Sequence, residues 1–253
     1  MSRQTNSAII IGSGIAGLLS ATVLSRHFDK VLILEKDPAV DLDKPNYSGR
    51  KGLPQAHHQH ILLMKGREIF ESLFPGFDEE LAELGAPLLS YSNDVELYVG
   101  KNKLPRFPSA LKIRPCRRPL IDWVIRKRLS QYENIDTISQ CRVTRLLADE
   151  TKQRITGVMT KQHNTELALH ADLVVECSGR GSRLPKWLLE LNALDVPSTE
   201  VDPKLGYASR LYEIPVEHKE DVRSIEVAPH APDNPRAAGL WLVENDQWLL
   251  TLI

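Results

Sequence analysis

The apolar positions follow two rhythms, and the first 36 residues contain both. Ala8-Ile9-Ile10-Ile11 is a short unbroken apolar run stopped by Gly12, the pattern of a buried strand. Small and apolar residues then continue to Ser25 and close at Arg26-His27-Phe28-Asp29, the pattern of a helix. Val31-Leu32-Ile33-Leu34 is a second buried run and ends on Glu35. Residues 7–36 therefore predict strand, helix, strand. Residues 37–56, rich in Asp, Pro, Gly and Lys, predict a loop.

Residues 57–74 predict a helix with Ile61, Leu62, Met64, Ile69, Leu73 and Phe74 on its apolar face, broken at Pro75-Gly76. A short helix is expected over 77–84. Within 88–113, Val95, Leu97 and Val99 alternate and a turn falls at 100–103, the mark of short paired strands. Pro119 opens a helix to Leu129 that buries Leu120, Trp123, Val124 and Leu129. Strands are expected at 135–138, 143–149, 155–161 and 166–170, and a buried parallel strand at 171–176. A small-residue turn follows at 178–182, then a helix carrying Trp187. Beyond Pro197 the pattern becomes strands: 207–216, 224–228, and a hairpin of 240–243 with 248–252 around Glu244-Asn245-Asp246.

The fold class expected is α/β, a three-layer Rossmann-like domain joined to a second, mainly β domain. The division expected is residues 1–87 with 110–195 for the nucleotide domain and 88–109 with 196–253 for the sheet domain. Composition adds exclusions. Lys and Arg total 32 against 33 Asp and Glu, so nothing marks the chain for wrapping nucleic acid. Cys116, Cys141 and Cys177 form no close pair, which argues against a disulfide framework and fits a reducing, cytoplasmic setting. The uncharged run 7–25 is too rich in Gly and Ser for a signal or membrane segment, and no integral membrane segment is expected.

The chemistry concentrates where the first strand ends. Gly12 permits a tight turn, Gly14 leaves room for a diphosphate against the backbone, and Gly17 lets the helix pack closely. Glu35, twenty-one residues after Gly14, stands where an acid takes two ribose hydroxyls, and disfavours a 2′-phosphate there. The strand at 172–176 delivers a second small-residue turn, Cys177-Ser178-Gly179-Arg180-Gly181-Ser182.

Four blocks carry a wider resemblance: residues 12–17 with Glu35; Arg50-Lys51-Gly52-Leu53-Pro54-Gln55 with 57–63; Arg118-Pro119-Leu120; and 172–183. In these the chain resembles the single-component FAD-dependent aromatic hydroxylases typified by para-hydroxybenzoate hydroxylase, and within them a bacterial branch of epoxidases and hydroxylase-like proteins. Ser178-Gly179 stands where the commoner family form has Asp-Gly. The resemblance implies a reaction in which NAD(P)H reduces FAD and the reduced flavin activates dioxygen to hydroxylate or epoxidise a small aromatic or alkene substrate. It also implies a cofactor-binding set: Gly12, Ser13, Gly14, Ile15, Ala16, Gly17, Glu35, Lys36, Arg50, Gln55, His60, Arg118, Val143, Ser178 and Gly179. No catalytic residue is named and no metal site is expected.

Several of these residues have plainer readings. A cation at a helix start, as Arg118 is, is disfavoured unless an anion lies near, and Arg117 is the substitute if the register moves by one. Gln55, His57, His58 and His60 form a dense polar cluster without an acid or cysteine at metal-ligand spacing. Arg180 and Arg183 meet phosphate or face water. Cys177 reads as a buried small residue, and Tyr207, Arg210, Tyr212, Trp241 and Trp248 read as sheet packing. The resemblance also places a Gly-Asp segment and a long helix after the substrate sheet. None lies in these 253 residues, and the final apolar run 248–253 leads us to expect a C-terminal complement or a homo-oligomer. Other readings are a different flavoenzyme such as a halogenase or isoprenoid reductase, an NAD-only dehydrogenase, or an inactive nucleotide-binding fragment.

Overall fold

The computed structural model describes residues 6–193, 195–215, 217, 224–230 and 232–253. The chain divides into two compact units, 1–44 with 125–200 and 45–124 with 201–253, the division falling inside the helix Arg118–Leu129. Segments 45–87 and 110–124, expected with the nucleotide domain, cluster in the second unit.

The first unit is built on a four-stranded parallel sheet in the order Leu173–Glu176, Ser7–Ile11, Lys30–Leu34, Ile135–Ile138. The strands are parallel because helices and long excursions connect them, and their unbroken apolar runs follow from being covered. The helix Ile15–Leu24 makes the first crossover and buries Gly17, Leu18, Ala21 and Thr22, small enough for close packing. The strands Cys141–Ala148, Ile155–Gln162 and Thr165–His170 form an antiparallel meander. Ile9, Ile11 and Leu34 share one core with Cys141, Val143, Leu146, Val158 and Trp187.

The second unit centres on a six-stranded sheet in the order Ala208–Glu213, Gln247–Leu252, Ala238–Val243, Ser224–Ala228, Val95–Val99, Asn102–Lys103. Its pairings are antiparallel except that of Ser224–Ala228 with Val95–Val99. Of the strand expected at 207–216, Val216 lies outside the described residues. The long helix expected over 57–74 is replaced by three elements: a 3-10 turn Pro54–His57, a strand Ile61–Leu62 and a helix Met64–Leu73. Ile61 and Leu62 pair with Pro115 and Arg114, a long-range ladder that outweighs a local helical period.

Candidate functional site

The strand Ser7–Ile11 delivers Gly12 with φ +96°, held by its amide donating to the Leu34 carbonyl at 2.8 Å. A Cβ there would lie 2.7 Å from the Cys177 carbonyl oxygen, and one on Gly17 would lie 2.0 Å from the Gly12 oxygen. Gly14 differs: a Cβ there would have no heavy atom within 4 Å. Two of the glycines are thus demanded by the protein's own packing, and the third leaves bare backbone beside open space. Gly14 is also the N-cap of the helix Ile15–Leu24 and offers no side-chain hydrogen bond, and the first turn has no acid. The opening amides of a helix have no intrahelical acceptor and sit at the positive end of its dipole, an arrangement suited to phosphate.

Glu35 is buried and turned toward this loop. Its Oε2 accepts the Ser13 amide at 2.9 Å and the Ser13 hydroxyl, and its Oε1 accepts the Asp37 amide at 3.0 Å. Its backbone is fixed between Ile138 and Cys141, at 2.9 and 2.8 Å. From the helix Arg118–Leu129, Arg126 donates to the Ser13 carbonyl and reaches the Ser13 hydroxyl at 3.0 Å. The bare backbone and opening helix amides at Gly14 fit a diphosphate, and the Glu35 carboxylate lies beside them.

The other expected residues of this unit divide. Ser178 follows the strand Leu173–Glu176 and bonds Glu176 through its amide, at 3.1 Å, and its hydroxyl. Gly179 has φ +75° and open space around a notional Cβ, so the turn is closely approachable. Ile15 is half-buried, and Ala16 and Lys36 are exposed. Val143 packs its side chain into the core, leaving its backbone for any contact. Cys177 is half-buried, short of the full burial expected.

Within the second unit, Arg50, Arg118 and His60 lie together. Arg50 Nε is 3.4 Å from Oδ2 of the buried Asp122. Arg118 has a buried Nε without a hydrogen-bond partner, and burial, then the Arg50 charge, makes its own charge costly, offset in part by Asp122. His60 is held down to about 4 by burial and by Arg118, so the ring is neutral at neutral pH. Gln55 is exposed on the 3-10 turn, as is His57, while His58 Nδ1 meets Ser209 Oγ at 3.0 Å. Arg117 is engaged differently from Arg118: it is buried, its Nε and amide donate to Glu244, and its guanidinium lies 4.7 Å from the Tyr47 ring centroid. The register therefore leaves Arg118 with the spare donor.

The sequence reading missed Asp122, Arg126 and Glu244. Asp122 and Arg126 follow Arg118 at successive intervals of four, one helical face, and that spacing is the signal that was available. Glu244 stands in the expected hairpin turn and is fully buried there. Among the described residues, no group of three or more His, Cys, Asp or Glu is placed to hold a metal ion, and no helix is long and apolar enough to cross a membrane.

Comparison with known proteins gives the fold. A probable FAD-dependent monooxygenase from Pseudomonas aeruginosa, PqsL, superposes with a TM-score of 0.72 at 15% identity, over 99% of this chain and 60% of that one. The chain has the fold of the FAD-dependent monooxygenases. A p-nitrophenol 4-monooxygenase from Pseudomonas putida, PnpA, gives 0.65 at 13% identity, over 98% and 57% of the two chains. Another PqsL structure, at 16% identity, is a complex with 2-aminobenzoylacetate. By sequence, Protein Rv3254 of Mycobacterium tuberculosis is 30% identical over 96% of this chain and 52% of its own length. Squalene epoxidase erg1 of Schizosaccharomyces pombe is 26% identical over 75% and 39%. The chain thus spans about half the length, or less, of the curated relatives it matches. No protein-family model matches it.

Proposed function

We propose that the protein is an FAD-dependent monooxygenase that takes electrons from NAD(P)H and adds one oxygen atom to a small aromatic or alkene substrate. The observation that carries this reading is the arrangement at Gly14: bare backbone at an uncapped helix start, with Glu35 turned toward the same loop. FAD, when bound, would supply hydride acceptance and dioxygen activation. The chain's own residues do the rest. The first amides of the helix Ile15–Leu24 receive the diphosphate, and Glu35 takes the ribose hydroxyls. Ser178 and Gly179 give the cofactor a close-packed edge. Arg118, with its spare buried Nε, and Arg50 beside it supply positive charge to an anionic group, and His60, held neutral by burial and Arg118, offers an uncharged ring beside them.

The names of the relatives support the substrate class: one acts on a nitrophenol, one epoxidises squalene, and one is solved with an aminobenzoyl compound. The reading extends to a cytoplasmic setting, in keeping with three free thiols. It also includes a complement to this chain, from further polypeptide or a second copy, on the substrate side.

The test is a titration of the full-length apoprotein with FAD, followed by anaerobic addition of NADH or NADPH. We expect stoichiometric flavin uptake, bleaching by one nucleotide and recovery on admitting air. Failure to take up FAD, or tight NAD binding without FAD, contradicts the proposal.

A further inference from the structure

A second surface is formed by residues 101–112, none of which is among the residues assigned to the cofactor. Residues 97–121 contain no acid and seven cations: Lys101, Lys103, Arg106, Lys112, Arg114, Arg117 and Arg118. The last three are buried or half-buried, but residues 101–112 are exposed apart from half-buried Ser109. Three large apolar side chains sit among the exposed cations: Leu104, 40% exposed, Phe107, 57%, and Leu111, 42%. Prolines at 105 and 108 flank Arg106 and Phe107.

This stretch is held, not trailing. Asn102–Lys103 pairs with Val95–Val99 as the edge strand of the six-stranded sheet, and the Leu104 amide extends the ladder to the Leu97 carbonyl at 2.9 Å. Phe107 and Ser92 exchange hydrogen bonds: the Phe107 amide donates to the Ser92 carbonyl at 3.1 Å, and the Ser92 hydroxyl donates to the Phe107 carbonyl at 2.8 Å. Ser109 Oγ meets Ser92 Oγ at 2.6 Å. The backbone is therefore satisfied while the apolar side chains stay in water, and a fixed presentation lowers the ordering cost of binding.

We propose that this exposed stretch, which begins on the sheet edge, docks on an anionic lipid surface, with Leu104 and Phe107 entering the headgroup boundary and Lys101 and Arg106 meeting lipid phosphate. Lys103 is committed to Glu96 at 2.8 Å and adds little. Lys101 and Arg106 form no ion pair among the described residues, although the Arg106 charge is felt by Glu96. Apolar tips ringed by cations are the chemistry of interfacial attachment, in which burial and electrostatic attraction add. A nucleic-acid surface fits less well. Phe107 is the one exposed aromatic ring in the stretch, whereas single-stranded nucleic acid is held by successive bases stacking on several rings.

The test is flotation of the purified protein with vesicles of phosphatidylcholine alone and of phosphatidylcholine mixed with phosphatidylserine. It is repeated with a single-stranded oligonucleotide in place of vesicles. We expect binding to the mixed vesicles only, weakening as salt rises. The variant L104S/F107S and the variant K101E/R106E are each expected to reduce it by about fivefold or more, with circular dichroism and melting unchanged. These residues lie outside the cofactor cluster, so FAD uptake serves as the folding control. Three results overturn the proposal: no binding to anionic vesicles at low salt, binding that L104S/F107S leaves intact, or oligonucleotide binding as strong as lipid binding.

Discussion

In the unit built on Ser7–Ile11, Glu35 and Arg126 bond a glycine loop and the core beneath is hydrocarbon. In the unit built on the six-stranded sheet, charge is inside. Glu244 is fully buried against Arg117. Asp78 is gripped by two arginines, Arg114 at 2.7 and 2.8 Å and Arg67 at 2.9 and 2.6 Å. The first arrangement holds a glycine loop by hydrogen bonds from its neighbours over an apolar core. The second uses ion pairs that removal of one partner leaves uncompensated.

The sharpest way to break this contrast is Glu244→Ala. It strands the Arg117 guanidinium in a buried site and is expected to cost about 3–5 kcal/mol, read by urea denaturation. A loss under 1 kcal/mol, on the scale of a surface pair, would show that Arg117 is relieved by water. In the other unit the matching break is steric. Gly17→Ala places a methyl against the Gly12 carbonyl, and is expected to cost about 2–3 kcal/mol because that contact is backbone and cannot step aside.

Acid sharpens the comparison further, through the charged unit. Burial alone would raise the Asp78 carboxyl, but hydrogen bonds from Arg114 and Arg67, then their charges, hold it well below the usual carboxylate range. A lowered folded value means stability that is full above the unfolded value near 4 and lost as pH falls through the folded one. His60, depressed to about 4 by burial and Arg118, acts earlier: the unfolded chain takes its proton near pH 6.5, so stability declines from there to about pH 4. Asp78→Asn is expected to cost about 1–2 kcal/mol at neutral pH, allowing for its partial exposure, and to flatten the loss below pH 4. His60→Asn is expected to remove the decline above pH 4. Melting temperature against pH checks both, and unchanged profiles would contradict the assignments.

The same contrast explains what the sequence disclosed. The strand–helix–strand opening, its three glycines and Glu35 were legible because they are local: a run, a spacing and an end residue. The hairpin of Ala238–Val243 with Gln247–Leu252 was legible for the same reason. The Ile61–Leu62 strand was not, since its partner lies some fifty residues on and the local apolar spacing suits a helix. Glu244 stands in the hairpin turn as its position indicated, but its burial was not legible because its partner, Arg117, is far along the chain. Arg118, Asp122 and Arg126 lay in between. Their spacing was visible, but which end each served depended on Arg50 and Ser13.

The most direct measurement concerns Gly14, the glycine that packing does not require. Gly14→Ala adds a methyl where nothing lies within 4 Å, so its melting temperature is expected to match the parent. If a diphosphate rests on that backbone, FAD affinity by fluorescence titration falls by at least about tenfold. An unchanged FAD affinity in a well-folded Gly14→Ala protein would contradict the account.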